Sequence, residues 1–164
     1  MSDKNPLLEK TWELLPFGRT KPEHWAEALA NIVEHNHLEI TKILKTQKEK
    51  PTFEGLVVPI EELLARRHEV LEGINILYSF NSNDDVRKAH KDCARIKGAD
   101  DAWMRNNKEL PEAYKRLRQR RGANLNADQI ATLDSLGRPK ESVPYERYWW
   151  LQRPAPDVQR VPYS

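Results

Sequence analysis

From Pro22 to Leu136 the apolar positions of this chain recur at helical intervals. Trp25, Leu29, Ile32, Val33, Asn36, Ile40, Ile43 and Leu44 form one stripe, which predicts a first helix over about 22–48. Pro22 suits the first turn of that helix, and Glu23 complements its positive end. A polar, basic break from Lys45 to Lys50 ends at Pro51. Thr52 is a suitable N-cap for a second helix, whose stripe is Leu56, Ile60, Leu63, Leu64, Arg67, Val70, Leu71, Ile74, Leu77 and Tyr78. Pro59 interrupts it, because an interior proline removes a backbone donor and clashes with the preceding turn. Either one helix starts at Thr52 and bends, which we favour, or a separate turn precedes a helix starting near Val58.

Ser82-Asn83-Asp84-Asp85 is a helix-start cluster, with Ser82 or Asn83 as cap. The third helix then carries Val86, Ala89, Cys93, Ile96, Trp103 and Asn107 on one face, with Gly98 as its weak point. Pro111 begins a short fourth helix with Ala113, Tyr114 and Leu117, ended by Arg121-Gly122. Asn126 with Gln129 reads as a capping box for a fifth helix through Leu136, stopped by Gly137 and Pro139. No segment alternates with period two for long enough to make a strand. The fold class expected is all-α, with successive antiparallel helices joined by short loops.

The flanks differ from this body. Residues 1–21 read as an extended lead-in that rests Leu14, Leu15 and Phe17 on the helices of 22–137. Residues 138–164 hold five prolines and the cluster Tyr145, Arg147, Tyr148, Trp149 and Trp150. This tail is expected to be partly disordered, with 145–151 docked and the last residues mobile.

Charge and cysteine content narrow the function classes. The 27 basic and 25 acidic side chains give a net charge of +2, and residues 1–137 carry 22 of each sign. A balanced body argues against a dedicated nucleic-acid surface. Cys93 is the single cysteine, which excludes an intrachain disulfide and a cysteine-based zinc cluster. Neither a secretory signal nor an apolar run near the roughly 20 residues of a membrane span is present, so a cytoplasmic location is expected.

Candidate chemistry is sparse. His24, His35, His37, His68 and His90 include no His-Glu-x-x-His pair, the spacing that sets two zinc-binding imidazoles beside a general base. His35 and His37 point apart on a helix. His90 and Cys93 could share a metal if Asp92 or His68 were folded against them, but a packed, hydrogen-bonded pair is the simpler expectation. The run Lys115-Arg116-Leu117-Arg118-Gln119-Arg120-Arg121 could meet nucleic acid or an acidic partner. More simply, it is the charged carboxyl end of a short helix. Glu61 and Glu62 are adjacent, so they face different directions and do not make an acid–base pair. Isolated glycines exclude a phosphate loop, and Trp12, Trp25 and Trp103 read as core or staple residues.

Several segments, in order, resemble the amino-terminal region of the thimet oligopeptidase, neurolysin and oligopeptidase A family of zinc metallopeptidases. The bacterial oligopeptidase A branch looks closest. The segments are Leu15-Pro16-Phe17, Lys21-Pro22-Glu23-His24, Ala28-Leu29, Pro51-Thr52-Phe53-Glu54-Gly55-Leu56 and Pro59-Ile60-Glu61-Glu62. They continue with Asn75 to Tyr78, Asn81-Ser82, Val86-Arg87-Lys88-Ala89, Ala113 to Leu117 and Leu125 to Gln129.

The resemblance implies an all-helical domain forming one wall of a channel that admits short, unstructured peptides. It also implies that the zinc and the catalytic glutamate belong to a later segment, so no catalytic, cofactor-binding or metal-binding residue is carried over and the chain is expected to be inactive alone. After Asp134 the sequence leaves the family pattern, as a fragment or truncated form would. Short peptides or a separate catalytic half are the partners expected, with no nucleic acid and no membrane. The alternative is a non-catalytic peptide- or protein-binding module.

Overall fold

A computed structural model describes residues 5–8, 20–81 and 83–137. The expectations for Leu14, Leu15, Phe17, Trp12, Ser82 and the tail 138–164 lie outside these residues. The described residues form five α-helices: α1 (Pro22–Thr46), α2 (Val58–Phe80), α3 (Asp84–Asn106), α4 (Glu109–Gln119) and α5 (Ala127–Leu136). The described residues hold no strand, so the fold is all-α.

The caps explain where the helices start. At α1 the backbone N–H of Lys21 donates to His24 Nδ1 (3.1 Å), so a histidine supplies the return contact of a capping box. Asn83 Oδ1 accepts from Val86 N (2.9 Å) and makes Asn83 the cap of α3. Asn126 and Gln129 form the expected reciprocal box at α5, at 2.8 and 3.0 Å. Just before it, Asn124 takes the left-handed conformation (φ 49°), which its short polar side chain tolerates.

Two boundaries correct the sequence reading. The fourth helix starts at Glu109, two residues before Pro111, because the first turn of a helix has N–H groups to spare and accepts a proline inside it. The second helix is helical from the Thr52 cap onward, as favoured, but its first turn, Phe53–Val57, is π-helical and runs without a break into α2, which opens at Val58. The N–H of Val58 bonds to the carbonyl of Phe53, five residues back. That wide turn falls just before Pro59, where an α-helical ladder would lose a donor and meet the proline ring. Gly98 does not interrupt α3, since it is exposed and costs the helix only conformational entropy.

The core divides into two clusters. One joins Ile40 and Leu44 of α1, Ile60 and Leu64 of α2, and Met104 of α3 with Leu56, Leu110, Tyr114, Leu117 and Leu133. The other joins Trp25, Leu29 and Ile32 of α1 with Val70 and Ile74 of α2, Val86 and Cys93 of α3, and Leu7 from the amino-terminal segment. The carboxyl half of α1 thus meets the amino half of α2 and the carboxyl half of α3. Helix α2 therefore runs antiparallel to both α1 and α3, and α4 and α5 cover the first cluster.

Candidate functional site

Between the two clusters, at one level of all three long helices, lies a layer of buried and half-buried polar side chains. Helix α1 supplies Asn36 and His37, α2 supplies Arg67, and α3 supplies Asp100. Asp100 is 3% exposed, and its two oxygens face two different helices. His37 Nε2 lies 2.6 Å from Oδ1, and Arg67 Nε pairs with Oδ2. Arg67 Nη2 also donates to Asp101 Oδ1 at 2.6 Å, and Lys97 Nζ donates to Asp101 Oδ2 at 2.7 Å. The His37 ring stacks on Trp103 with centroids 3.8 Å apart. Asn36 Nδ2 donates to the carbonyl of Leu63 (3.1 Å), satisfying a backbone acceptor in α2.

Burial alone raises the Asp101 carboxyl, but the hydrogen bond from Lys97 and the charges of Arg67 and Lys97 outweigh it and hold it below the ordinary carboxylate range. Asp100 spends both oxygens on helix-to-helix contacts. The arrangement suits a lock better than a reaction centre: sliding one helix by a turn would strand Arg67 or Asp100 among apolar side chains. Buried ion pairs are best attested in that register-setting role.

The remaining candidates are dispersed by the fold. His35 is exposed and His37 half-buried, on different sides of α1. His90 stacks on Tyr78 (centroids 4.0 Å apart) with Nε2 3.2 Å from Asn75 Oδ1. Cys93 is buried in the second cluster, and desolvation, followed by the charge of Asp92, pushes its thiol up to about 11. A metal needs the thiolate, which that environment disfavours. Asp92 is paired with Arg95 (2.5 Å) and His68 Nε2 lies 4.0 Å from Glu72, so each has a partner of its own. The described residues do not offer a donor set suited to zinc. Glu61 is half-buried and Glu62 exposed, as adjacent residues on a helix should be.

The basic run is partly consumed by the fold. Arg118 Nε lies 3.0 Å from Asp134, Arg116 lies 3.8 Å from Glu109, and Arg120 Nη1 donates to the carbonyl of Pro51 at 2.8 Å. That last bond ties the end of α4 to the turn before α2. Trp25 is a core residue, and Trp103 is the half-buried wall against which His37 stacks.

Among known proteins, the chain is similar to oligopeptidase A of Haemophilus influenzae, with 28% identity over 118 residues. The matched stretch is 72% of this chain but 17% of that protein's length. No family model and no solved structure matches. The segment Pro51–Glu62, which carried much of the resemblance, serves the fold here. The backbone N–H of Thr52 donates to Gln47 Oε1 (3.0 Å), and Thr52 Oγ1 accepts from the backbone N–H of Gly55 (2.9 Å). A Cβ on Gly55 would come within 2.6–2.7 Å of the Gln47 and Thr52 side-chain ends, so glycine is what lets the two caps meet. No described helix is long and apolar enough to cross a membrane.

Proposed function

We propose that this chain is the amino-terminal, channel-wall domain of an oligopeptidase A-like zinc metallopeptidase, occurring as a fragment or truncated form, and that it shapes access for short peptides without activating water. The similarity to the Haemophilus protein is the observation that carries this reading. The locked three-helix layer supports it, because a wall must keep its shape while peptides pass. The zinc belongs, on this reading, to a catalytic half outside this sequence, and the donor set here gives no reason to place it on His90 and Cys93. A cytoplasmic location fits a peptidase that clears short peptides.

The test is a chimera. The homologous segment of the Haemophilus enzyme is replaced by residues 5–137 of this chain, and cleavage of a short fluorogenic peptide and of a folded protein is measured. The chimera is expected to cleave the peptide and spare the folded protein, while the isolated chain cleaves neither. Zinc-dependent peptide cleavage by the isolated chain, or a folded chimera that digests folded protein, would overturn the reading.

A further inference from the structure

The short segment Asn5–Leu8 lies outside every helical stripe, yet it holds a side chain as deeply buried as any in the core. Leu7 is 0% exposed, packed in the cluster of Trp25, Leu29, Val70 and Ile74. Polar contacts from two helices seat its backbone and its neighbour. Asn5 Nδ2 donates to the carbonyl of His24 (2.7 Å) and to Glu27 Oε2 (3.2 Å), both in α1. Asn5 Oδ1 accepts from Leu7 N (3.1 Å), which folds the segment into one 3-10 turn over Pro6–Leu8. From α2, Arg66 Nη2 donates to the carbonyl of Leu7 at 3.3 Å.

These are the parts of a peptide receptor. An apolar pocket takes a leucine, a guanidinium takes a main-chain carbonyl, and a carboxylate with a backbone carbonyl takes a side-chain amide. The polar receiving groups sit on α1 and α2, and α3 adds Val86 and Cys93 to the apolar pocket. The received ones lie within residues 5–8, separated in sequence from α1 by residues 9–21. Seating the segment therefore uses side-chain and backbone contacts that an equivalent peptide could make without being part of the chain.

We propose that the groove between α1 and α2 is a peptide-binding site occupied in cis by Asn5–Leu8. It takes a peptide carrying a side-chain amide two residues before a leucine, with proline between. The tethered segment competes at an effective concentration in the millimolar range, so a free peptide reaches the groove only in the fraction of molecules whose own segment has left it. This site uses no residue of the proposed catalytic partner and stands whether or not the oligopeptidase reading holds.

The test uses the full chain carrying Leu7→Asp, which puts a charge where the pocket needs an apolar side chain. A fluorescein-labelled peptide with the sequence of residues 1–10 is titrated and its anisotropy followed. Saturable binding is expected, at least roughly ten-fold tighter than to the unaltered chain. It should weaken roughly ten-fold or more when the peptide carries Leu7→Ala, as expected for losing most of a buried leucine. Adding Arg66→Ala to the chain should also weaken it. Equal binding to altered and unaltered chains, indifference to the leucine, or no saturable binding by a Leu7→Asp chain with the helical circular dichroism of the parent would each overturn the proposal. If Leu7→Asp does not fold, the milder pair Asn5→Ala with Leu7→Ala is titrated against the same outcomes.

Discussion

Removing Asp100 tests whether the polar layer holds the three long helices in register. In Asp100→Ala the Arg67 guanidinium, itself about nine-tenths buried, keeps Asp101 but loses its deepest partner, and His37 loses its acceptor. Breaking a buried ion pair by deleting one member costs about 3–5 kcal/mol, because the other charge stays buried without compensation. Arg67 retains the 2.6 Å contact to Asp101, which places this case at the lower end, about 3 kcal/mol. The comparison is Asp101→Ala, whose carboxylate is 39% exposed and whose loss leaves the Asp100 contact intact. Solvent screening reduces that loss to about 1 kcal/mol or less.

The assay is urea unfolding followed by far-UV circular dichroism, with a thermal melt beside it. For a chain of this size, a loss of about 3 kcal/mol lowers the melting temperature by about 6–12 °C. A double variant, Arg67→Met with Asp100→Leu, should recover most of the stability, since well-packed apolar replacements of buried ion pairs are often neutral or better. Equal costs for Asp100→Ala and Asp101→Ala would refute the reasoning, because depth would then not govern the layer.

Three further outcomes follow from other contacts. Gly55→Ala should destabilise by about 1 kcal/mol, as lost capping at Thr52 and Gln47 outweighs the better helix propensity of alanine; Gln47→Ala should shrink that cost, read from urea midpoints. Because the folded Asp101 carboxyl sits below its ordinary value of 3.8, its contribution is fully present above that pH and is lost as pH falls through the folded value. Asp101→Asn should therefore flatten the acid limb of stability measured between about pH 2 and 5. With its thiol pushed up from 9.0 to about 11, Cys93 should resist a disulfide reagent at neutral pH until urea unfolds the chain. The same shift makes its contribution to stability present below 9.0 and lost as pH rises through about 11; rapid labelling of the native chain at neutral pH would contradict the buried placement.

Most of the helical frame could be read in the sequence because it rests on local rules. The stripes of α1 and α2 and the Asn126–Gln129 box each involve residues within a turn or two of one another. Pro59 was harder, since the sequence shows that a helix is disturbed but not how. A separate turn and a distorted continuous helix have the same apolar pattern, and the hydrogen bond from Val58 to Phe53 shows a wide turn that continues from the Thr52 cap into α2. Leu7 could not be found by periodicity at all: a pair of leucines after a proline makes no stripe, and the burial of Leu7 depends on a pocket built from α1, α2 and α3.

The polar layer left a trace that spacing alone could not interpret. Asn36 and Arg67 fall inside otherwise apolar stripes, and Asp100 stands four residues after Ile96 and three before Trp103, on the stripe of α3. A polar residue on an apolar face is either an intrusion or one half of a partnership, and one helix seen alone cannot say which. Three such residues on three helices become informative together, because buried charges require partners at matching depth. Asn36 lies after Ile32 and before Ile40, Arg67 between Leu64 and Val70, and Asp100 between Ile96 and Met104, so each marks the same boundary between the two clusters. Aligning those three marks requires α2 to run against α1 and α3. The polar exceptions therefore carry information about helix direction and register that the apolar residues, which tolerate sliding, carry less sharply.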